Sequence, residues 1–219
     1  MVFYDGAYFK AGNVFFRYKE KRGWFSLSEL HSLLERYTAS KAKSPTDLTK
    51  VVAAHYYDGR TTTSVADSAQ LERERDFEMA LISAGIVPHF LAVRETPKAG
   101  NGSDDVRYQL AQKGVDVQFA IDVLDFAHAD RFDVAVLVTG DEDFVPLVHR
   151  ITSLGKHALV AHFSIDPWTD DKGYGHRGTF CSRALQEAAS WCLNFNSFVR
   201  DPDWKAEARS LFFKPKGAE

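Results

Sequence analysis

The sequence predicts a three-layer α/β/α fold around a mainly parallel sheet. Three observations point to it: short apolar runs that end at Gly or Asp-Gly, amphipathic segments of helical period between them, and regular alternation of the two. Near-continuous apolar strands arise where helices cover both faces of a parallel sheet, which leaves no solvated face to require alternation. The chain has 219 residues, 45% of them hydrophobic and 26% charged, with no Pro/Gly/Ser-rich linker or internal repeat. One domain over 1–199 with a short C-terminal extension over 200–219 accommodates this length.

The elements follow in order. "MVFY" reads as a first strand that stops at Asp5-Gly6, as a strand does on reaching a turn. In "FSLSELHSLLERY", Ser26 and Glu29 have the spacing of a capping box, and Leu30, Leu33 and Leu34 share one helical face. "KVVAAHYYDG" is a second strand closed by Asp-Gly. "SAQLERERDFEMALISAG" is a charged amphipathic helix stopped at Gly85, and "IVPHFLAV" is a third strand. "VRYQLAQKG" reads equally as a fourth strand or an irregular lead-in. The helix "VDVQFAIDVLDFAHA", the buried strand "DVAVLVTG", the helix "FVPLVHRITSLG" and the strand "KHALVAHF" come next. Residues 164–180 lack any period and read as a mobile loop. "CSRALQEAASWCL" reads as one more helix and "NSFVR" as a short edge strand.

Several function classes are disfavoured. The net charge of −3 exerts no general pull on nucleic acid or anionic lipid, although a local site can still gather basic residues. Cys181 and Cys192 match no zinc spacing and read as reduced, partly buried thiols. The opening "MVFYDGAYFK" lacks a basic segment followed by an apolar run. No stretch approaches the roughly 18–20 apolar residues of a membrane helix. A soluble, cytoplasmic protein with no membrane partner is expected. The histidines form no metal or triad pattern, and "GYGHRG" at 173–178 lacks the preceding strand that a dinucleotide fingerprint requires.

The chemistry resides in the acids. Ligands of open parallel sheets bind outside the carboxyl ends of the strands, and Asp5, Asp141 and Asp143 all follow strands at that edge. On a wheel of about 100° per residue, Gln118, Asp122 and Asp125 form a polar, solvated stripe. Asp116 falls on the opposite face, among Phe119, Ala120, Val123 and Ala127, where the helix should meet the sheet. Each acid taken singly could be a helix cap or turn former. Their convergence is what capping leaves unexplained. Two carboxylates about 4 Å apart repel by about 4 kcal/mol at an effective dielectric of 20, so a shared crevice raises some pKa values or binds a cation. An all-oxygen Asp set suits Mg²⁺ or Mn²⁺, and such ions promote phosphodiester hydrolysis.

"FYDGAY" at 3–8, "KGVDVQFAIDVL" at 113–124 and "LVTGDEDFVPLVHRITSLGK" at 137–156 resemble, in order, the three motifs of NYN domains. These are a branch of the PIN-like nucleases that includes bacterial LabA-like proteins. "GDEDF" after a strand is the most specific motif, and the resemblance spans roughly residues 1–163. It implies a PIN-like α/β/α fold and Mg²⁺- or Mn²⁺-dependent cleavage of RNA. Carried over by motif, Asp5, Asp116, Asp141 and Asp143 would ligate metal and position the attacking water, with Asp122 ranked below them. The first motif departs from the family's Asp-Gly-x-Asn by placing Tyr8 fourth, and a phenol lacks the amide's carbonyl acceptor.

Weaker candidates for RNA contact are Tyr8, Lys113, Thr139 and Arg177. Lys113 precedes Asp116 by about one helical turn. Arg177 belongs to a segment with Trp168, Tyr174, His176 and Phe180, the aromatic and cationic groups on which single-stranded bases stack. Two rival readings stay open, a PIN-like RNA-binding or regulatory module without turnover and a nuclease acting on DNA. A phosphatase of the haloacid dehalogenase type would need Asp-x-Asp, but Ala7 occupies its third position. A homodimer is compatible with a domain of this size, and no residue argues for one.

Overall fold

A computed structural model of the chain describes residues 1–60, 68–92, 94–98, 107–111 and 114–214. Its centre is a six-stranded, wholly parallel sheet covered by helices on both faces. The chain begins with β1 (Val2–Asp5) and passes directly into α1 (Gly6–Tyr18). β2 (Trp24–Phe25) and α2 (Leu27–Ala42) follow, then β3 (Ala54–Arg60), α3 (Ser68–Ser83) and β4 (Ile86–Ala92). β5 (Arg94–Lys98) and β6 (Arg107–Ala111) form a separate antiparallel pair, so the "VRYQLAQKG" segment holds a strand that does not join the central sheet. Next come α4 (Val115–His128), β7 (Val134–Val138), a 3-10 turn at Glu142–Phe144, α5 (Val145–Ser153) and β8 (His157–His162). β9 (Trp168–Thr169), β10 (Gly175–His176), α6 (Arg183–Ala188), β11 (Trp191–Asn194), α7 (Phe195–Phe198), α8 (Lys205–Ser210) and β12 (Phe212–Phe213) complete the chain.

The strand order is β11-β8-β7-β1-β3-β4, with β1 in register between Ala54 of β3 and Val136 of β7. Successive side chains on β1 therefore point to opposite layers. Val2 and Tyr4 join Phe9, Phe16, Leu30, Leu33 and Leu34 of α1 and α2 in one core. Phe3 joins Phe119 and Val123 of α4 and Leu147, Val148 and Ile151 of α5 in the other. The layers are thus filled by the helical faces that the sequence marks as apolar.

Local chemistry explains the departures from the sequence-based expectations. Asp5-Gly6 starts a helix rather than a turn, because the Asp5 carboxylate accepts the Tyr8 N–H at 3.1 Å and caps α1. Gly12 lets α1 lie close to the sheet, since a Cβ there would come within 2.2 Å of the Phe163 ring. Ser26 occupies the cap position of α2, but its hydroxyl faces Ser28 Oγ at 3.2 Å and makes no cap bond, so the capping box does not close. The helix expected over 181–193 stops at Ala188. Ala189 turns extended, Ser190 N–H bonds the Ala158 carbonyl at 2.9 Å, and Trp191–Asn194 becomes the sixth parallel strand beside β8. Asn194 then caps α7 by accepting the N–H groups of Asn196 and Ser197, which makes "NSFVR" begin as a helix instead of a strand.

The aperiodic 164–180 segment is a hairpin: β9 pairs antiparallel with β10, and Ile165 and Thr179 exchange backbone bonds at 2.9 and 2.8 Å. β12 pairs antiparallel with β2, and Ala208 and Leu211 reach the first core. The two cysteines are unlinked and half-buried, and burial pushes the Cys181 thiol up to about 12, which keeps it protonated. No helix among the described residues is long and apolar enough to cross a membrane.

Candidate active site

β1 and β7 are neighbours whose following helices leave to opposite layers, α1 to the first core and α5 to the second. A crevice therefore opens at their carboxyl ends, the switch point of the sheet. Asp5 ends β1, and Thr139-Gly140-Asp141 follows β7. Thr139 is fully buried and joins the two strand ends: its hydroxyl donates to Asp5 Oδ2 at 3.0 Å and accepts the Asp141 N–H at 3.4 Å. Asp5 Oδ1 accepts the Tyr8 N–H, so both oxygens of this half-buried carboxylate are held.

The three acids of "GDEDF" have different surroundings. Asp141 caps the following turn by accepting the Asp143 N–H at 3.0 Å. Glu142 accepts the Ser182 hydroxyl at 2.8 Å and ties the turn to the start of α6. Asp143 is exposed. Asp116 is in the first turn of α4, also exposed, and does not face the sheet as its wheel position predicts. The buried stripe of α4 is Val115, Phe119, Val123 and Ala127. Asp116, one residue beyond its first member, lies off that stripe and is exposed.

Burial, followed by the charges of Asp116 and Asp58, pushes the Asp5 carboxyl up to about 6, against the lowering bonds from Tyr8 and Thr139. Asp116 is raised by partial burial and by the Asp141 and Asp143 charges, which links all four acids in one electrostatic group. Asp58 is a further acid at this edge and was not singled out in the sequence. It lies near the carboxyl end of β3, one residue beyond Tyr57, which pairs with Asp5, and the strand runs on to Arg60; Asp58 is 3% exposed, meets Lys10 Nζ at 2.5 Å and accepts the Tyr56 hydroxyl at 3.1 Å. Its signal in the sequence was the Asp-Gly in "YYDG", expected to close the second strand, although β3 runs through it to Arg60.

Other expected site residues are engaged elsewhere. The Tyr8 hydroxyl accepts the Phe163 N–H at 2.8 Å, and its ring packs on Phe163, so the phenol braces the end of β8 rather than facing substrate. Thr139, being wholly buried, likewise positions Asp5 instead of meeting RNA. Asp122 is not freely solvated: it accepts from the Tyr57 hydroxyl at 3.0 Å and the Gln118 amide at 2.6 Å. Arg177 is exposed on the hairpin, and Lys113 lies outside the described residues.

Among the described residues, no three His, Cys, Asp or Glu side chains converge closely enough to enclose an ion by themselves. The donor set still fits a hard cation. It is all oxygen, its most buried member is destabilised as an anion, and Mg²⁺ binds through one or two carboxylates while keeping several waters. Waters of that kind can span to the more distant acids.

Comparison with known proteins agrees with this architecture. The family model described as NYN domain matches residues 1–170. Among solved structures the chain is similar to a protein of unknown function from Vibrio parahaemolyticus, at 19% identity over 88% of this chain and 90% of that one, with a TM-score of 0.51. That likeness carries the fold alone. No protein of curated function matches the chain.

Proposed function

The chain belongs to the NYN domain family, and from that premise we propose that it is a metal-dependent endoribonuclease of the LabA-like branch, its nuclease domain covering 1–199 and its extension 200–219. The observation that carries the reading is the junction of β1 and β7, where Thr139, two residues before Asp141, holds the Asp5 carboxylate at 3.0 Å at the switch point of a parallel sheet. Asp5, Asp116, Asp141 and Asp143 are assigned as metal ligands and catalytic residues. A bound Mg²⁺ or Mn²⁺ would activate water and neutralise charge developing on a phosphoryl group. The chain supplies the rest. Thr139 and the Tyr8 N–H hold the orientation of Asp5, and the Asp141 cap fixes the turn that carries Asp143, so that the acids would position the attacking water. Arg177 is retained as an RNA contact.

A second reading is an RNA-binding module without turnover. It is favoured by the lack of any tightly converged acid triplet among the described residues. The two are separated by incubating wild type and Asp141→Asn with end-labelled single-stranded RNA, structured RNA and single-stranded DNA in Mg²⁺, Mn²⁺ or EDTA. The nuclease reading expects RNA cleavage that needs the ion and drops by about 100-fold or more in the variant, as loss of a group acting in the transition state does. Binding of RNA with no cutting by wild type would favour the module, and preferential cutting of DNA would move the substrate assignment.

A further inference from the structure

At the far end of α1 from the acids lies a cleft of about 570 Å³ between that helix and the 164–180 hairpin. It is lined by Arg17, Lys21, Lys172 and Lys214, with Tyr18 and Tyr174 beside them. The lining acids are already engaged: Asp170 accepts the Lys172 and Tyr174 N–H groups and pairs with His176, and Asp171 pairs with Lys21. Arg17, Lys172 and Lys214 have no carboxylate partner among the described residues. In a chain of net charge −3 this is a local surplus of positive charge. The Arg17 guanidinium carbon lies over Trp24, 4.9 Å from the ring centre, and its buried Nε has no hydrogen-bond acceptor. Tyr174 is 69% exposed although its backbone is fixed by Asp170, so an aromatic face is held in solvent on an ordered turn.

Two elements, α1 and the hairpin, run from the acidic edge to the cleft. α1 leaves that edge at Gly6 and carries Arg17 roughly 16 Å along its axis. The hairpin joins the same two places. It starts after Phe163, which packs on Tyr8, and it ends at Phe180, whose carbonyl abuts Gly140 so closely that a Cβ there would lie 2.3 Å away. The hairpin is stiffened by Trp168, stacked on His176 at 4.0 Å and edge-on to Phe15 of α1.

Unpaired cations interleaved with exposed aromatic rings are the chemistry that holds a single strand, with phosphates on the cations and bases on the rings. We propose that this cleft is an accessory binding site for the single-stranded RNA cut at the acidic edge. The enzyme then prefers strands long enough to reach from the acids to Arg17, Lys172, Lys214 and Tyr174. This rests on the nuclease reading for the identity of the strand.

The test measures fluorescence anisotropy of labelled 4-nucleotide and 16-nucleotide oligouridylates with Asp141→Asn in Mg²⁺. It then repeats the measurement with Lys172→Glu/Lys214→Glu or Tyr174→Ala added. The longer strand is expected to bind about tenfold or more tighter than the shorter, and the charge reversal to remove that advantage while leaving the short strand unchanged. The slope of log affinity against log salt should fall by about 1.4, at about 0.7 per lost phosphate contact. A length advantage that survives both variants overturns the proposal. In an otherwise wild-type background, the charge-reversed protein should cut the 4-nucleotide strand as well as wild type and the 16-nucleotide strand less efficiently. If wild type cuts nothing but the length advantage still depends on Lys172 and Lys214, the nuclease reading fails and the cleft stands. If wild type cuts and the charge reversal changes neither binding nor cutting of the long strand, the cleft fails alone.

Discussion

Replacing Thr139 by Val tests the joint between the two strand ends. The side chain is fully buried, and its hydroxyl donates to Asp5 Oδ2 at 3.0 Å, while its second bond, from the Asp141 N–H at 3.4 Å, is long and contributes little. Valine keeps the shape and deletes the donor. A hydrogen bond to a charged group contributes about 1.5–3 kcal/mol, so a loss of about 2 kcal/mol is expected, or a fall in Tm of about 4–8 °C for a chain of this size. The assay is thermal and urea unfolding in EDTA at pH 8, above the Asp5 value of about 6, so that the carboxylate is ionised. A cycle with Asp5→Ala isolates the pair: with the acceptor gone, Thr139→Val should cost nothing or stabilise slightly, because the hydroxyl proton it removes is then buried without that acceptor. An equal cost in both backgrounds would refute the idea that Thr139 acts through Asp5. On the nuclease reading, Thr139→Val lowers kcat more than it changes KM, since it disturbs a ligand and no substrate contact.

Other consequences concern the layers around the site. His55 is 7% exposed, its Nδ1 faces His89 at 3.0 Å and its Nε2 has no partner, so a second proton would be buried without an acceptor; burial, then His89, lowers its pKa from 6.5 to about 4. A base whose folded pKa is depressed contributes full stability above its unfolded value and loses it as pH falls through the folded one, so about 3 kcal/mol should disappear between pH 6.5 and 4. The urea midpoint of wild type should fall relative to that of His55→Phe as pH drops through that range, and parallel curves would rule out this histidine as the source. Gly140→Ala places a Cβ 2.3 Å from the Phe180 carbonyl and 2.6 Å from the Tyr8 ring, so a destabilisation of about 1–3 kcal/mol is expected together with loss of cleavage. Unchanged unfolding and activity would show that the hairpin is not seated against this loop.

The alternation of apolar runs and amphipathic segments carried the fold class, and strand-ending acids carried the expectation of a site, because both signals are local. Val136 and Val138, or Leu30, Leu33 and Leu34, fall on the buried faces that their spacing marks. Short elements were not legible. Trp191–Leu193 extends a helical pattern in the sequence, yet Ser190 is captured by Ala158 and Trp191–Leu193 pair with Leu159–Ala161 of a strand more than thirty residues earlier. The departures at Tyr8 and Thr139 have the same origin. Tyr8 binds the backbone of Phe163, |i−j| = 155, and Thr139 binds Asp5, |i−j| = 134, which turns two candidate substrate contacts into braces. Asp58 became an acid of the edge only when β3 paired with β1 and put Asp5 opposite Tyr57. The cleft also needed the chain to bring Arg17, Lys172 and Lys214 together. Periodicity records which face of an element is apolar and where the element stops. Register, packing partners and the field at a carboxylate depend on residues distant in the chain, and only the folded arrangement of the layers brings those within reach.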